Sequence, residues 1–237
     1  MRKTTRSAGK KSSEKAARRQ VRQETKEQQV RQPLEIEWRT KAQAQAWDLV
    51  VNNDLTFLLG SAGSGKTFVA MAYAINAVLT GQAEHIVLTR PIVDAGEKMG
   101  YLPGGVNDKV DPYMRPLYDA MDKLLGKFSP KREIVNKAVI LAPLCHMRGR
   151  TFDNAVCVFD EAQNATYTQF KLFLTRLGNN SRYIVTGDPD QNDLPVSPAP
   201  IREVVRKLEN KPRIGAFKFR DSDCVRHPLV MTILTHL

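Results

Sequence analysis

Asp54-Leu-Thr-Phe-Leu-Leu-Gly60-Ser61-Ala62-Gly63-Ser64-Gly65-Lys66-Thr67 decides the fold of this chain. Its first part is an apolar run of strand length, and Phe68 to Thr80 reads as a helix. The glycine-rich part is therefore a turn between a buried strand and a helix N-terminus. Gly60 to Thr67 satisfies the P-loop pattern G-x-x-x-x-G-K-[ST] at every fixed position. Gly60, Gly63 and Gly65 let the backbone take unusual dihedrals and approach a phosphate closely. The N–H groups of Gly60 through Gly65, with Ser61, Ala62 and Ser64 between the glycines, form an anion nest at the positive end of a helix dipole. Lys66 supplies a cation for the β- and γ-phosphates, and the Thr67 hydroxyl a ligand for Mg²⁺. A flexible Gly/Ser loop has a similar composition, but the strand before it and the helix after it favour the phosphate reading.

Working outward, the same strand–helix unit recurs. Residues 39–52 read as a helix delivering the chain to the first strand. The helix from Lys66 is apolar nearly all round, through Val69, Met71, Ile75 and Val78, as a helix buried against a sheet is. Further strands are predicted at 85–90, 138–142, 155–159, 182–186 and 215–219, and further helices at 116–127, 166–177, 200–209 and 225–237. Thr166-x-x-Gln169 is a capping box, Gly178 a stop signal and Pro200 an N1 proline. Residues 91–116, rich in Gly and Pro, are predicted to be a long functional loop. Residues 143–153 form a loop carrying Arg148 and Arg150. Short apolar strands alternating with helices give an α/β fold, a mainly parallel sheet with helices on both faces.

The chain has 237 residues and a net charge of +11, unevenly placed: residues 1–33 hold 11 Lys/Arg against 3 Asp/Glu. That segment has too little apolar surface to offset the entropy of ordering and reads as a disordered basic arm. It is either a nucleic-acid-binding arm or a solubilising leader. The ordered domain is expected over 34–237. No apolar run approaches the ~20 residues of a membrane span, and no apolar segment follows the basic N-terminus as in a secretory signal. A cytoplasmic protein without membrane contact is expected. Cys145, Cys157 and Cys224 are odd in number and form no metal-binding spacing, so reduced thiols are expected.

Hydrolytic chemistry needs a second motif. Val156-Cys-Val-Phe-Asp160-Glu161 is an apolar strand ending in two carboxylates, at the sheet edge where α/β folds bind ligands. Asp160 fits the acid that holds Mg²⁺ through its water shell, and Glu161 the base that polarises the attacking water. Gly187-Asp188-x-x-Gln191 follows another strand and should reach the same edge. There Gln191 is placed to hydrogen-bond the γ-phosphate or the water. Gln43, upstream of the first strand, is a candidate for reading an adenine edge through its amide.

With these motifs in hand the chain resembles the PhoH family, the phosphate-starvation-inducible PhoH-like ATPases, over about residues 39–237. Beyond the P-loop, the resemblance rests on Leu88-Thr-Arg-Pro-Ile-Val-Asp-Ala-Gly-Glu-Lys-Met-Gly-Tyr-Leu-Pro-Gly104, Lys109 to Asp119 and Met147-Arg-Gly-Arg-Thr-Phe152. Asp160-Glu-Ala-Gln-Asn164, Gly187-Asp-x-x-Gln191 and Asp223-Cys-Val-Arg-His227 complete it. Ser61 and Ser64 stand where the family more often has Pro and Thr. The resemblance implies a single RecA-like lobe, similar to the first lobe of superfamily 1 helicases, that hydrolyses ATP with Mg²⁺ on single-stranded RNA or DNA. It also places Gln43 at the family's adenine-side glutamine and implies a hexameric ring. No PIN nuclease segment and no second RecA lobe are recognised. A neighbouring subunit would then supply the arginine that meets transition-state charge, with Arg226 and Arg220 the candidates. Arg148 and Arg150 are the best-motivated phosphate contacts to nucleic acid. Two other readings stand beside this one: a nucleotide-gated RNA-binding scaffold with little turnover, and a P-loop kinase. The kinase reading lacks recognisable lid arginines.

Overall fold

Alternation within the strands sorts the core into two layers. The computed structural model describes residues 31–91, 106–191, 199–225 and 229. Their elements run α1 (Lys41–Asn52), β1 (Leu55–Leu59), α2 (Lys66–Leu79), β2 (His85–Thr89), α3 (Val106–Leu125), α4 (Pro130–Ala138), β3 (Val139–Leu141), β4 (Ala155–Phe159), α5 (Tyr167–Leu174), β5 (Arg182–Gly187), α6 (Pro200–Leu208) and β6 (Ile214–Lys218). In β1, Leu55, Phe57 and Leu59 face one layer and Leu58 the other; in β4, Ala155, Cys157 and Phe159 oppose Val156 and Val158. The first-named face packs against α5 and α6 through Phe170, Phe173, Ile201 and Val204. The second packs against α1 to α4 through Ala46, Val69, Ile75, Leu117 and Val135. A strand buried on both sides must be apolar at every position, which is why these runs read as continuous.

The six strands lie in the order β3-β2-β4-β5-β1-β6, and every pairing is parallel. Adjacent β4, β5 and β1 therefore end side by side. Their C-terminal ends carry the three sequence motifs: Asp160-Glu161, Gly187-Asp188 and the P-loop.

Three stretches depart from the sequence reading. Residues 106–116 are helical, not loop: α3 starts at Val106 and passes through Pro112 and Pro116. Met114, Leu117 and Met121 are buried at helical spacing, while Pro116 is exposed. The burial of that stripe outweighs the backbone bonds the prolines remove. The rest of the predicted loop, 92–105, lies outside the described residues. Helix α4 was not predicted at all. It is capped by the Ser129 hydroxyl, which accepts from Lys131 N, and begins with Pro130, but buries only Val135 and Ala138. Helix α5 stops at Leu174 instead of Leu177, because Phe152 and Leu177 form a parallel bridge and Gly178 N donates to Phe152 O at 3.1 Å. A Cβ on Gly178 would stand 2.4 Å from Phe152 O, so only glycine permits that approach. The helix predicted over 225–237 falls outside the described residues apart from Val225 and Leu229.

Candidate active site

The P-loop is built as its sequence requires. Gly65 caps α2 with φ 94°, and a Cβ there would lie 2.4 Å from Gln43 Nε2. Lys66 Nζ folds back over the loop, donating to Gly60 O at 2.6 Å and Ser61 O at 2.9 Å. Burial lowers the affinity of Lys66 for its proton, opposed by the carboxylates of Asp188, Glu161 and Asp160. Ser64 is buried, and its hydroxyl donates to Ser61 O at 2.9 Å. The segment after β6 braces the loop from outside: Ser61 Oγ donates to Asp221 Oδ1 at 3.1 Å, and Val225 N donates to Gly63 O at 3.0 Å.

Asp160, only 2% exposed, accepts hydrogen bonds from Thr67 Oγ1 at 2.8 Å and from Thr186 Oγ1. Burial pushes its carboxyl above the usual range, and the Thr186 and Thr67 bonds work against that. Thr67 spends its hydroxyl proton on Asp160, which leaves a lone pair for a hard cation. A hydroxyl and a carboxylate in contact are the oxygen donors Mg²⁺ selects. These two residues fit such an ion and would be the ones to hold it. Bound there with a nucleotide, it would neutralise charge on the β- and γ-phosphate oxygens.

Glu161 has a left-handed backbone, φ 52° and ψ 40°. For a residue with a Cβ that costs on the order of 1 kcal/mol, and neighbours must hold it. Gln163 does so: its Nε2 donates to Glu161 Oε2 at 2.6 Å while its Oε1 accepts from Asp188 N at 3.1 Å. Arg90, at the end of β2, lies 3.6 Å from Glu161 Oε1. Gln163 is 3% exposed and ties the end of β4 to the end of β5. The sequence reading gave no role to Gln163, Thr186 or Arg90. The signal for Gln163 was its place two residues after the acid pair, within the Asp160-Glu-Ala-Gln-Asn164 motif that carries part of the family resemblance.

The P-loop and the acid pair open on one cavity of about 800 Å³. Gln43, Ala62, Gly63, Gly65, Lys66, Thr67, Asp160 and Glu161 all line it. Gln43 is buried and already engaged: its Oε1 accepts from Arg39 N at 3.1 Å and its Nε2 donates to Ser64 O at 3.3 Å. The other sequence candidates stand apart. Gln191 is exposed on the turn after β5, its N donating to Asp188 O, and is not part of the cavity wall. Arg148 and Arg150 are exposed beyond a 3₁₀ turn at Leu144–Met147, with the Arg150 guanidinium 4.8 Å from the centre of the Phe152 ring. Arg220 is exposed, its N donating to Asp223 Oδ2 at 2.8 Å, and Arg226 lies outside the described residues.

A parallel sheet with a P-loop after β1 and an acid pair after β4, one strand away across β5, defines the RecA-like class of P-loop NTPase folds. The fold is similar to the large terminase of a thermophilic bacteriophage, with TM-score 0.57 and 12% identity over 86% of this chain and 50% of that one. The same terminase in complex with ADP matches with TM-score 0.54 and 16% identity, over 83% of this chain and 49% of that one. Within that class the chain belongs to the PhoH-like protein family, whose family model matches residues 35–237. It is 43% identical over 203 residues to a PhoH-like protein of Bacillus subtilis, covering 84% of this chain and 63% of the relative. It is 46% identical over 199 residues to one of Mycobacterium tuberculosis (83% and 56%) and 39% identical over 201 residues to Protein PhoH of Escherichia coli (83% and 56%). The chain thus spans about three-fifths of the length of these relatives. Among the described residues no helix is long and apolar enough to cross a membrane.

Proposed function

We propose that this chain binds ATP with Mg²⁺ and hydrolyses it while engaged on single-stranded nucleic acid, RNA in the first instance. The observation that carries the reading is the convergence of Lys66, Thr67, Asp160 and Glu161 on one cavity at the ends of β1 and β4. Lys66, pointing at loop carbonyls that a phosphate's oxygens would replace, exchanges those contacts for the β- and γ-phosphates. The P-loop N–H groups hold the same phosphates. Glu161, fixed by Gln163 and adjacent to Arg90, orients water and accepts its proton. Its direct bond to Gln163 makes the base sensitive to movement of Asp188, and so of the β5 end.

The nucleic-acid part rests on the basic character of residues 1–33, on the family, and on exposed Arg148 and Arg150. A ring of identical subunits, six by family resemblance, would let an arginine from a neighbour reach the γ-phosphate; Arg226 and Arg220 are its candidates. The test is the ATPase rate of the purified chain with a panel of single-stranded RNA, single-stranded DNA and duplexes. Stimulation by single strands is expected, RNA most. A rate unmoved by every nucleic acid would remove that half of the proposal, and absence of turnover with intact ATP binding would favour the nucleotide-gated scaffold.

A further inference from the structure

The wall of the active-site cavity changes character away from the phosphate loop. Ile36, Trp38, Phe68 and Leu124 line it there, all four half-buried, interleaved with the exposed Glu35, Glu37, Arg39 and Lys123. Trp38 is fixed in orientation by two neighbours: its ring lies 5.4 Å from that of Trp47 and meets Phe68 edge-on at 6.3 Å. It is also fixed in position relative to the P-loop. Gln43 accepts a bond from Arg39 N, one residue beyond Trp38, and donates to Ser64 O inside the loop. One buried side chain therefore ties the tryptophan's backbone to the phosphate cradle. Through these two bonds Gln43 acts as a strut, each amide group keeping one further hydrogen-bonding position.

We infer that Trp38 is the platform on which the nucleobase of a bound nucleotide stacks, so that base selection in this chain works through aromatic surface more than through Gln43. The inference rests on the nucleotide reading above and adds to it a residue and the physical basis on which a purine base would be preferred. A cavity lined by both the P-loop and a half-buried indole brings a phosphate site and an aromatic ring within one volume. Purines, with the larger stacking area, gain more from such a ring than pyrimidines. The plain alternative is that Trp38 only packs α1 against α2, and the two roles predict different losses.

The experiment measures equilibrium binding of ATP, CTP and inorganic tripolyphosphate, each with Mg²⁺, to the full chain and to Trp38→Ala and Trp38→Phe. Stacking predicts that Trp38→Ala weakens ATP by about tenfold or more, narrows the ATP-over-CTP preference, and leaves tripolyphosphate within about twofold, while Trp38→Phe stays close to the native chain. Equal loss for ATP and tripolyphosphate would make Trp38 a packing residue and overturn the inference, as would ATP binding unchanged in Trp38→Ala. Failure of the native chain to bind either ATP or tripolyphosphate would instead overturn the nucleotide reading itself. Should Trp38→Ala not fold, Trp47→Phe leaves Trp38 as the sole tryptophan. Its emission must then respond to ATP and not to tripolyphosphate; equal or absent responses would contradict stacking.

Discussion

At the scale of single residues, Gln163 carries more than its place in the sequence announces. It is the bridge between Glu161 and Asp188, and Gln163→Leu keeps its bulk while removing both bonds. The Asp188 N–H is then left buried without its partner, which costs about 1–3 kcal/mol of stability. Turnover should fall by about tenfold while ATP binding holds, since the base loses its orientation and the P-loop is untouched. Unaltered turnover in a folded variant would assign Gln163 to packing. Gly65→Ala meets a different obstacle. Its Cβ would fall 2.4 Å from Gln43 Nε2 at φ 94°, so nucleotide binding should drop sharply, as isothermal titration would read directly. The thiols separate on similar grounds. Burial pushes Cys157 up to about 12, so it stays protonated and enclosed at neutral and mildly alkaline pH, whereas Cys145 is exposed. Iodoacetamide at about pH 8 should modify Cys145 and spare Cys157 in the folded chain, with mass spectrometry of the peptides as the readout.

At the scale of elements, the sheet was legible because doubly buried strands are short, near-continuous apolar runs, and because each ends at a turn or a charged motif. The P-loop strand, the Asp160 strand and the Gly187 strand are of this kind, and their convergence followed from parallel order. The first half of helix α3 and the whole of α4 were not legible, for the same physical reason in reverse, while the second half of α3 was expected from residue 116. In α3 Pro112 and Pro116 masked the start at Val106 and the buried Met114, which extends the stripe of Leu117 and Met121. In α4, a nine-residue helix with two buried side chains, capping and not periodicity was the only signal. Within the site, the charged and glycine positions announced themselves, while Gln163 and Trp38 act through contacts that exist only once β4, β5 and α1 are assembled. Ser129→Ala should expose how far α4 depends on its cap: a loss of about 1 kcal/mol in urea unfolding is expected, and no change would show that packing against α2 alone holds it.

At the scale of the whole molecule, the structure separates a nucleotide cavity at the strand ends from the exposed Arg148–Arg150 loop, and the sequence sets both apart from the basic N-terminal segment. Removing residues 1–33 takes away 11 Lys/Arg, so nucleic-acid affinity should fall less steeply with salt in the shortened chain. An unchanged slope would place the phosphate contacts elsewhere. If a neighbouring copy supplies an arginine, mixing Arg226→Ala subunits with Lys66→Ala subunits should restore part of the lost turnover, because some interfaces then combine an intact P-loop with an intact arginine. No recovery for Arg226 or Arg220 would argue against sharing. The central claim, that one cavity both binds ATP and hydrolyses it through Glu161, meets its most direct test in Glu161→Gln. The measurement follows a single turnover of radiolabelled ATP on an excess of that variant with Mg²⁺. The account predicts that the variant retains ATP with near-native affinity and cleaves it slower by about 10² or more. Cleavage at the native rate would contradict it.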